Sequence, residues 1–193
     1  EHEAAQAQAA EQERDRLALA VREVESYFTS RSQFAGTAIY SMLVAAARNG
    51  WTEVDALAHD KVAPAAVSPA RRQAALDAIA AGLAALKKDR DAAAIAAFAR
   101  AAKADPGNAQ AHAYLAAAEL KAGDAIHASD AVDQALRLAP DNATAWFVQS
   151  ILWMPSQEAL ARQGLRLTLH FSDDRKQTMA DLHALQAEFT SYD

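Results

Sequence analysis

Pro106 and Asn108 recur as Pro140 and Asn142, each 34 residues later, and each pair sits in a short turn, "DPGN" at 105–108 and "APDN" at 139–142. A period of this length means one structural unit built more than once. A unit that small cannot bury its own apolar face, so its copies must stack. Aligning 75–108 with 109–142 gives nine identities, five of them Ala, so the informative matches are Leu86 with Leu120, Lys87 with Lys121, and the Pro and Asn pairs. The stretch "KADPGNAQAHAYLAAAELKAGD", 103–124, reads as a turn, an alanine-packed helix and a Gly123-Asp124 turn. Ala loses no side-chain entropy in a helix, and the chain holds only 6 Gly and 5 Pro, so helix is expected nearly everywhere.

Small and large residues alternate in a definite order within the unit. The second copy has Leu115 and Ala116 in its first helix, Ala128, Val132 and Ala135 in its second, and Pro140 at its close. The first copy supplies Gly82, Ala94, Phe98, Ala101 and Pro106; a third begins at Ala143 with Trp146, and Pro155 is expected to end its first helix early. Small residues at helix crossings allow close approach, and the larger ones fill the gaps between layers.

With its 34-residue helix–turn–helix period, this pattern resembles the tetratricopeptide repeat (TPR) family. The match covers 69–154 and continues in degenerate form to 171. His112 and Ala78 stand where the family has a large aromatic, and Glu119 where it has Tyr. The resemblance implies an all-α protein, a right-handed superhelical stack of TPR-like repeats. Its repeats would be 75–108, 109–142 and a degenerate 143–171, within 64–171. An N-terminal helical arm would occupy 1–63, and a C-terminal capping helix 172–193.

The flanking segments read as follows. Residues 4 to 29 carry Leu17, Val21, Val24 and Phe28 at helical spacing. A second helix runs from Phe34 to Asn49, with Gly50 expected as its left-handed cap, and Thr52 is expected to cap a short third helix. "KVAPAAVSPA" is a connector in which Ser68 caps and Pro69 opens the next helix. Ser156 is expected to cap a helix through "QEALARQGL", and Ser172 with Asp173 a last one whose buried stripe would be Met179, Leu182, Leu185 and Phe189. "LRLTLHF", 165–171, alternates apolar and polar as a strand would, but its helical neighbourhood favours a helix with a wide buried face.

The formal charge of −6 argues against a general grip on nucleic acid or anionic lipid. Without Cys there is no disulfide, thiolate nucleophile or Cys-based zinc site. No phosphate loop, G-x-S-x-G elbow or H-E-x-x-H is present, so no enzyme and no cofactor is expected. His112 reads as a packed, hydrogen-bonded histidine rather than a metal ligand, and Asp173-Asp174 as a helix start rather than a catalytic pair. No run is apolar enough to insert in a membrane. The start "EHEAAQ" lacks Met, which suggests a processed or trimmed N-terminus in either cytoplasm or periplasm, and the high Ala content suggests a bacterial source.

In the family, first helices of successive repeats line a groove that binds peptides or proteins. Carried over by register, this groove presents Leu83, Leu86 and Lys87, then Gln110, Tyr114, Ala117, Leu120 and Lys121, then Phe147, Val148 and Ile151. The family's clamp for chaperone carboxylates uses Lys and Asn at such positions; in this chain they are mostly apolar, so that role is disfavoured. The expected function is non-catalytic protein–protein interaction, as an adaptor or assembly factor with a peptide or protein partner. The alternatives are a regulatory or docking domain of a larger protein, and homo-oligomerisation through the first helix. The arm filling its own groove also stays open.

Overall fold

The computed structural model describes residues 2–30, 37–59, 61, 63, 64, 66–176 and 178. Its helices are α1 His2–Ser30, α2 Thr37–Ala47, α3 Trp51–His59, α4 Pro69–Leu86, α5 Asp91–Ala104, α6 Ala109–Lys121, α7 Ala125–Leu138, α8 Ala143–Trp153 and α9 Glu158–Phe171. Among the described residues there is no strand: "LRLTLHF" belongs to α9, which buries Leu160, Ala161, Gly164, Leu167 and Thr168 along one face. Of the expected last helix only the start is described: Arg175, Lys176 and Thr178 are helical, and Thr178 N donates to the Asp174 carbonyl at 3.0 Å; its Met179 to Phe189 stripe lies outside the described residues, as do the side chains of Val24 and Phe28.

Polar side chains punctuate the stack. Asn108 Oδ1 accepts from Ala111 N at 3.0 Å, and one repeat later Asn142 Oδ1 accepts from Ala145 N at 2.8 Å. Asp124 caps α7 through His127 N, and Ser68 caps α4 through Arg71 N with Pro69 in the first turn. Each cap satisfies a backbone N–H that the helix cannot pair itself. The repeat also explains the histidine at an aromatic position. Trp146 Nε1 donates to the Pro140 carbonyl at 2.7 Å, and one repeat earlier His112 Nε2 bonds the Pro106 carbonyl at 3.1 Å. Because a carbonyl can only accept, the His112 proton resides on Nε2.

The helices pack as hairpins, α4 with α5, α6 with α7 and α8 with α9. Gly82, Ala116 and Ser150 share one register at these crossings, and all three are buried. A Cβ on Gly82 would stand 2.4 Å from the ring of the fully buried Phe98. Gly82→Ala should therefore destabilise by roughly 1–2 kcal/mol net, since the overpacking cost exceeds the helix-propensity gain of about 1 kcal/mol. Urea midpoints check this; a more stable variant would contradict the close approach. In the third hairpin, Gly164 crosses Ser150 just as tightly, and the Ser150 hydroxyl donates to the Trp146 carbonyl at 2.6 Å.

The arm closes the α9 end of this stack. Met42 and Leu43 of α2 and Val54 of α3 are fully buried, in one core with Trp146, Val148, Leu160 and Leu167. Arg166 of α9 donates to the Ala46 carbonyl at 2.8 Å and to Asn49 Oδ1, and its guanidinium lies over the Trp51 ring, 5.0 Å from its centroid. Trp51 stacks on His170 at 4.7 Å, and His170 Nε2 bonds Asp55 Oδ1 at 2.6 Å. The connector then runs back along the inter-repeat turns. Lys61 pairs with Asp141 at 2.6 Å, and Pro64 packs on Gly107, the same turn position one repeat earlier.

Three local expectations are corrected. The left-handed residue after α2 is Asn49, with φ of 60°, not Gly50; its side chain thereby meets Arg166. Asn tolerates that conformation better than other residues with a Cβ. Thr52 lies inside α3, which Trp51 opens, because α3 follows Gly50 directly. Ser156 does not cap α9: Gln157 holds that position without a side-chain bond, since Ser156 is still in the turn whose N–H bonds the Trp153 carbonyl.

Candidate functional site

The first helices of the three hairpins, α4, α6 and α8, lie side by side. The 34-residue register aligns Leu76 with Gln110 and Thr144, and Leu83 with Ala117 and Ile151. Gln110 links two helices, donating to Thr144 Oγ1 at 3.3 Å and accepting from Asn142 Nδ2 at 2.9 Å. Beside this ladder opens a cavity of about 850 Å³ lined by Gln110, Tyr114, Asn142, Thr144, Phe147, Thr168 and Phe171, with Asp141, Asp173 and Asp174 at its rim. None of the described α1, α2 or α3 residues lines it, and these helices meet the repeats at α9.

The structure divides the groove residues expected from sequence. Phe147 and Ile151 are half-buried and stand outside the apolar core clusters. Tyr114 is half-buried too, but its ring packs on Phe98 at 5.4 Å, so it supports the wall as well as lining it. Leu83 and Leu86 pack partly against the α4–α6 core, and Ala117 and Leu120 against the main core. Val148 is only 1% exposed and belongs to the core, not the surface; one residue of rotation, about 100° of helix, separates it from the outward Phe147.

The cations also differ. Lys87 is exposed, whereas Lys121 is held by Asp91 at 2.8 Å and Asp89 at 3.1 Å. The hydrogen bonds that the ammonium donates, that to Asp91 first, raise it above its ordinary pKa. Lys121 thus answers its own chain's carboxylates. Sequence reasoning missed Leu76, Thr144, Thr168 and Phe171. Leu76 is 48% exposed and was findable one period before Gln110. Thr168 and Phe171 reach the cavity from α9 through tertiary packing, which no local pattern announces.

Among the described residues no three His, Cys, Asp or Glu side chains gather as a metal site, and no helix is long and apolar enough to cross a membrane. The chain matches no protein-family model and no curated protein. Solved structures do match. The first TPR domain of Spaghetti (RPAP3), bound to the HSP90 peptide SRMEEVD, is 18% identical, with 62% of this chain and 98% of that one covered and a TM-score of 0.52. The Arabidopsis OM64 TPR domain is 19% identical, with 61% and 98% covered and a TM-score of 0.52. The fold is that of the tetratricopeptide repeat.

Proposed function

We propose that this tetratricopeptide-repeat chain is a non-catalytic protein–protein interaction module that takes a peptide segment of its partner along α4, α6 and α8. The observation that carries this is the accessible apolar row on α4 and α8: Leu76 half-exposed on α4, and on α8 the half-buried Ile151 and the half-buried Phe147, which lines the cavity. Isolated exposed leucines are ordinary, but a row beside a cavity on one face marks a binding surface. The Spaghetti domain, which shares the fold, holds a peptide. Affinity would come from burying the aliphatic and aromatic side chains, and specificity from the Gln110–Asn142–Thr144 ladder.

Capture of partners from source-cell lysate by wild type and by Leu76→Asp with Phe147→Asp tests this, with both proteins shown folded by circular dichroism. A partner held by wild type and at least about tenfold weaker with the double variant is expected. A partner held equally by both places the working surface elsewhere. Tyr114 is left intact because its contact with Phe98 makes it part of the scaffold.

The long first helix supports a second reading. Residues 5–16 of α1 are exposed throughout, and Leu19 is 56% exposed beside the half-buried Leu17 and Val21. A helix that far out of the core is available to a second copy. Sedimentation equilibrium should then show a dimer that Leu19→Asp weakens by about tenfold or more, whereas a wild-type monomer across the accessible concentration range removes this reading.

A further inference from the structure

We infer that residues 179–193 of this chain are the resident occupant of the α8 end of the groove, with Leu182, Leu185 and Phe189 laid over Phe147 and Ile151, so that a partner must displace them. This rests on the reading of that face as the binding surface and names what competes for it. The order of the stack leaves the place open. Each first helix is followed on its flank by the next, α4 by α6 and α6 by α8, whereas among the described residues α8 has no such successor and the arm meets the stack at α9. On α8, Phe147 and Ile151 are half-buried and outside the apolar core clusters.

The chain itself leads there. Beyond α9, Thr178 N donates to the Asp174 carbonyl at 3.0 Å in a first helical turn, and the Thr178 hydroxyl pairs with that of Ser172 at 2.6 Å. Thr178 is half-buried and lines the same cavity as Phe147. Positions i+4, i+7 and i+11 continue one helical face, and counted from Thr178 these are Leu182, Leu185 and Phe189. At about 1.5 Å per residue, Leu182 to Phe189 spans roughly 10 Å, enough to cover Phe147 and Ile151, which stand one turn apart. A free peptide or a second copy starts from solution, whereas this segment starts at the edge of the cavity, where tethering gives an effective concentration of millimolar order. A helix this short is marginal on its own, so its hold is partial and reversible. A place filled about two-thirds of the time weakens a competitor about threefold.

A fluorescent synthetic peptide of residues 172–193, titrated by anisotropy against the full chain and against its Leu182→Asp, Leu185→Asp variant, tests this. The variant should bind the peptide about threefold or more tighter than wild type, because its own segment no longer competes, and adding Phe147→Asp to the variant should abolish that binding. Equal affinity for wild type and variant, or no affinity for either, overturns the inference. So does binding that survives Phe147→Asp. If circular dichroism shows the Asp variant unfolded, Leu182→Ala with Leu185→Ala carries the same comparison. A wild-type dimer that either variant dissociates would give the place to a second copy's segment and also overturns the inference. The groove reading is judged separately. A lysate partner lost with Leu76→Asp and Phe147→Asp, yet held equally by wild type and the Leu182→Asp, Leu185→Asp variant, leaves the groove standing and removes its competitor.

Discussion

Trp146→Ala is expected to destabilise the protein by about 3–5 kcal/mol, a large part of the stability of an ordinary domain. The indole is fully buried at the centre of the main core. Its removal loses transfer free energy and leaves a void that neighbouring helices close only in part. It also strands the buried Pro140 carbonyl, which now accepts from Nε1. Trp146→Phe separates the two contributions: it keeps most of the volume and loses the bond, for a cost of about 1–2 kcal/mol. Urea unfolding of both variants measures the difference. Equal costs would mean that the bond dominates and would contradict the assignment of the larger share to packing.

Leu43→Ala is expected to cost about 2–5 kcal/mol although Leu43 lies outside the repeats. The reason is that α2 is part of the same core: Leu43 is 0% exposed and clusters with Trp146, Leu160 and Leu167. The loss should appear as a shift of one cooperative transition, since arm and stack share their buried surface. A change below about 0.5 kcal/mol, the range of ordinary surface substitutions, would show that the arm merely flanks the repeats.

The difference between repeats and arm is also the difference in what could be read beforehand. The period was visible because its punctuation is local. Asn108, Asn142, Asp124 and Ser68 each cap a helix through a backbone N–H three residues on, and such bonds leave a signature in any short window. The small residues at 82, 116 and 150 follow the same period, although Ser150 is legible only by register. The arm's docking was not legible. Arg166 reaches Ala46 and Asn49, and His170 reaches Asp55, across more than a hundred residues of chain. That docking also explains the cap at Asn49, whose side chain is drawn to Arg166.

The groove was legible in outline only. Of the residues that register places on one face, Tyr114, Phe147 and Ile151 are half-buried, but one residue of rotation decides between surface and core, and Val148 falls inside. Charge at the site was also a tertiary matter. Lys121 looked available from its position in the repeat, yet Asp89 and Asp91 of the preceding hairpin hold it.

The most direct test of a binding face on α4, α6 and α8 is hydroxyl-radical footprinting of the chain alone and with its captured partner. Oxidation of Leu76, Tyr114 and Phe147 should fall on binding, while Ile126, 77% exposed on α7, stays unchanged. Protection of Ile126 with Leu76 and Phe147 oxidised as before would place the partner on the second helices of the repeats and contradict a binding face on the first.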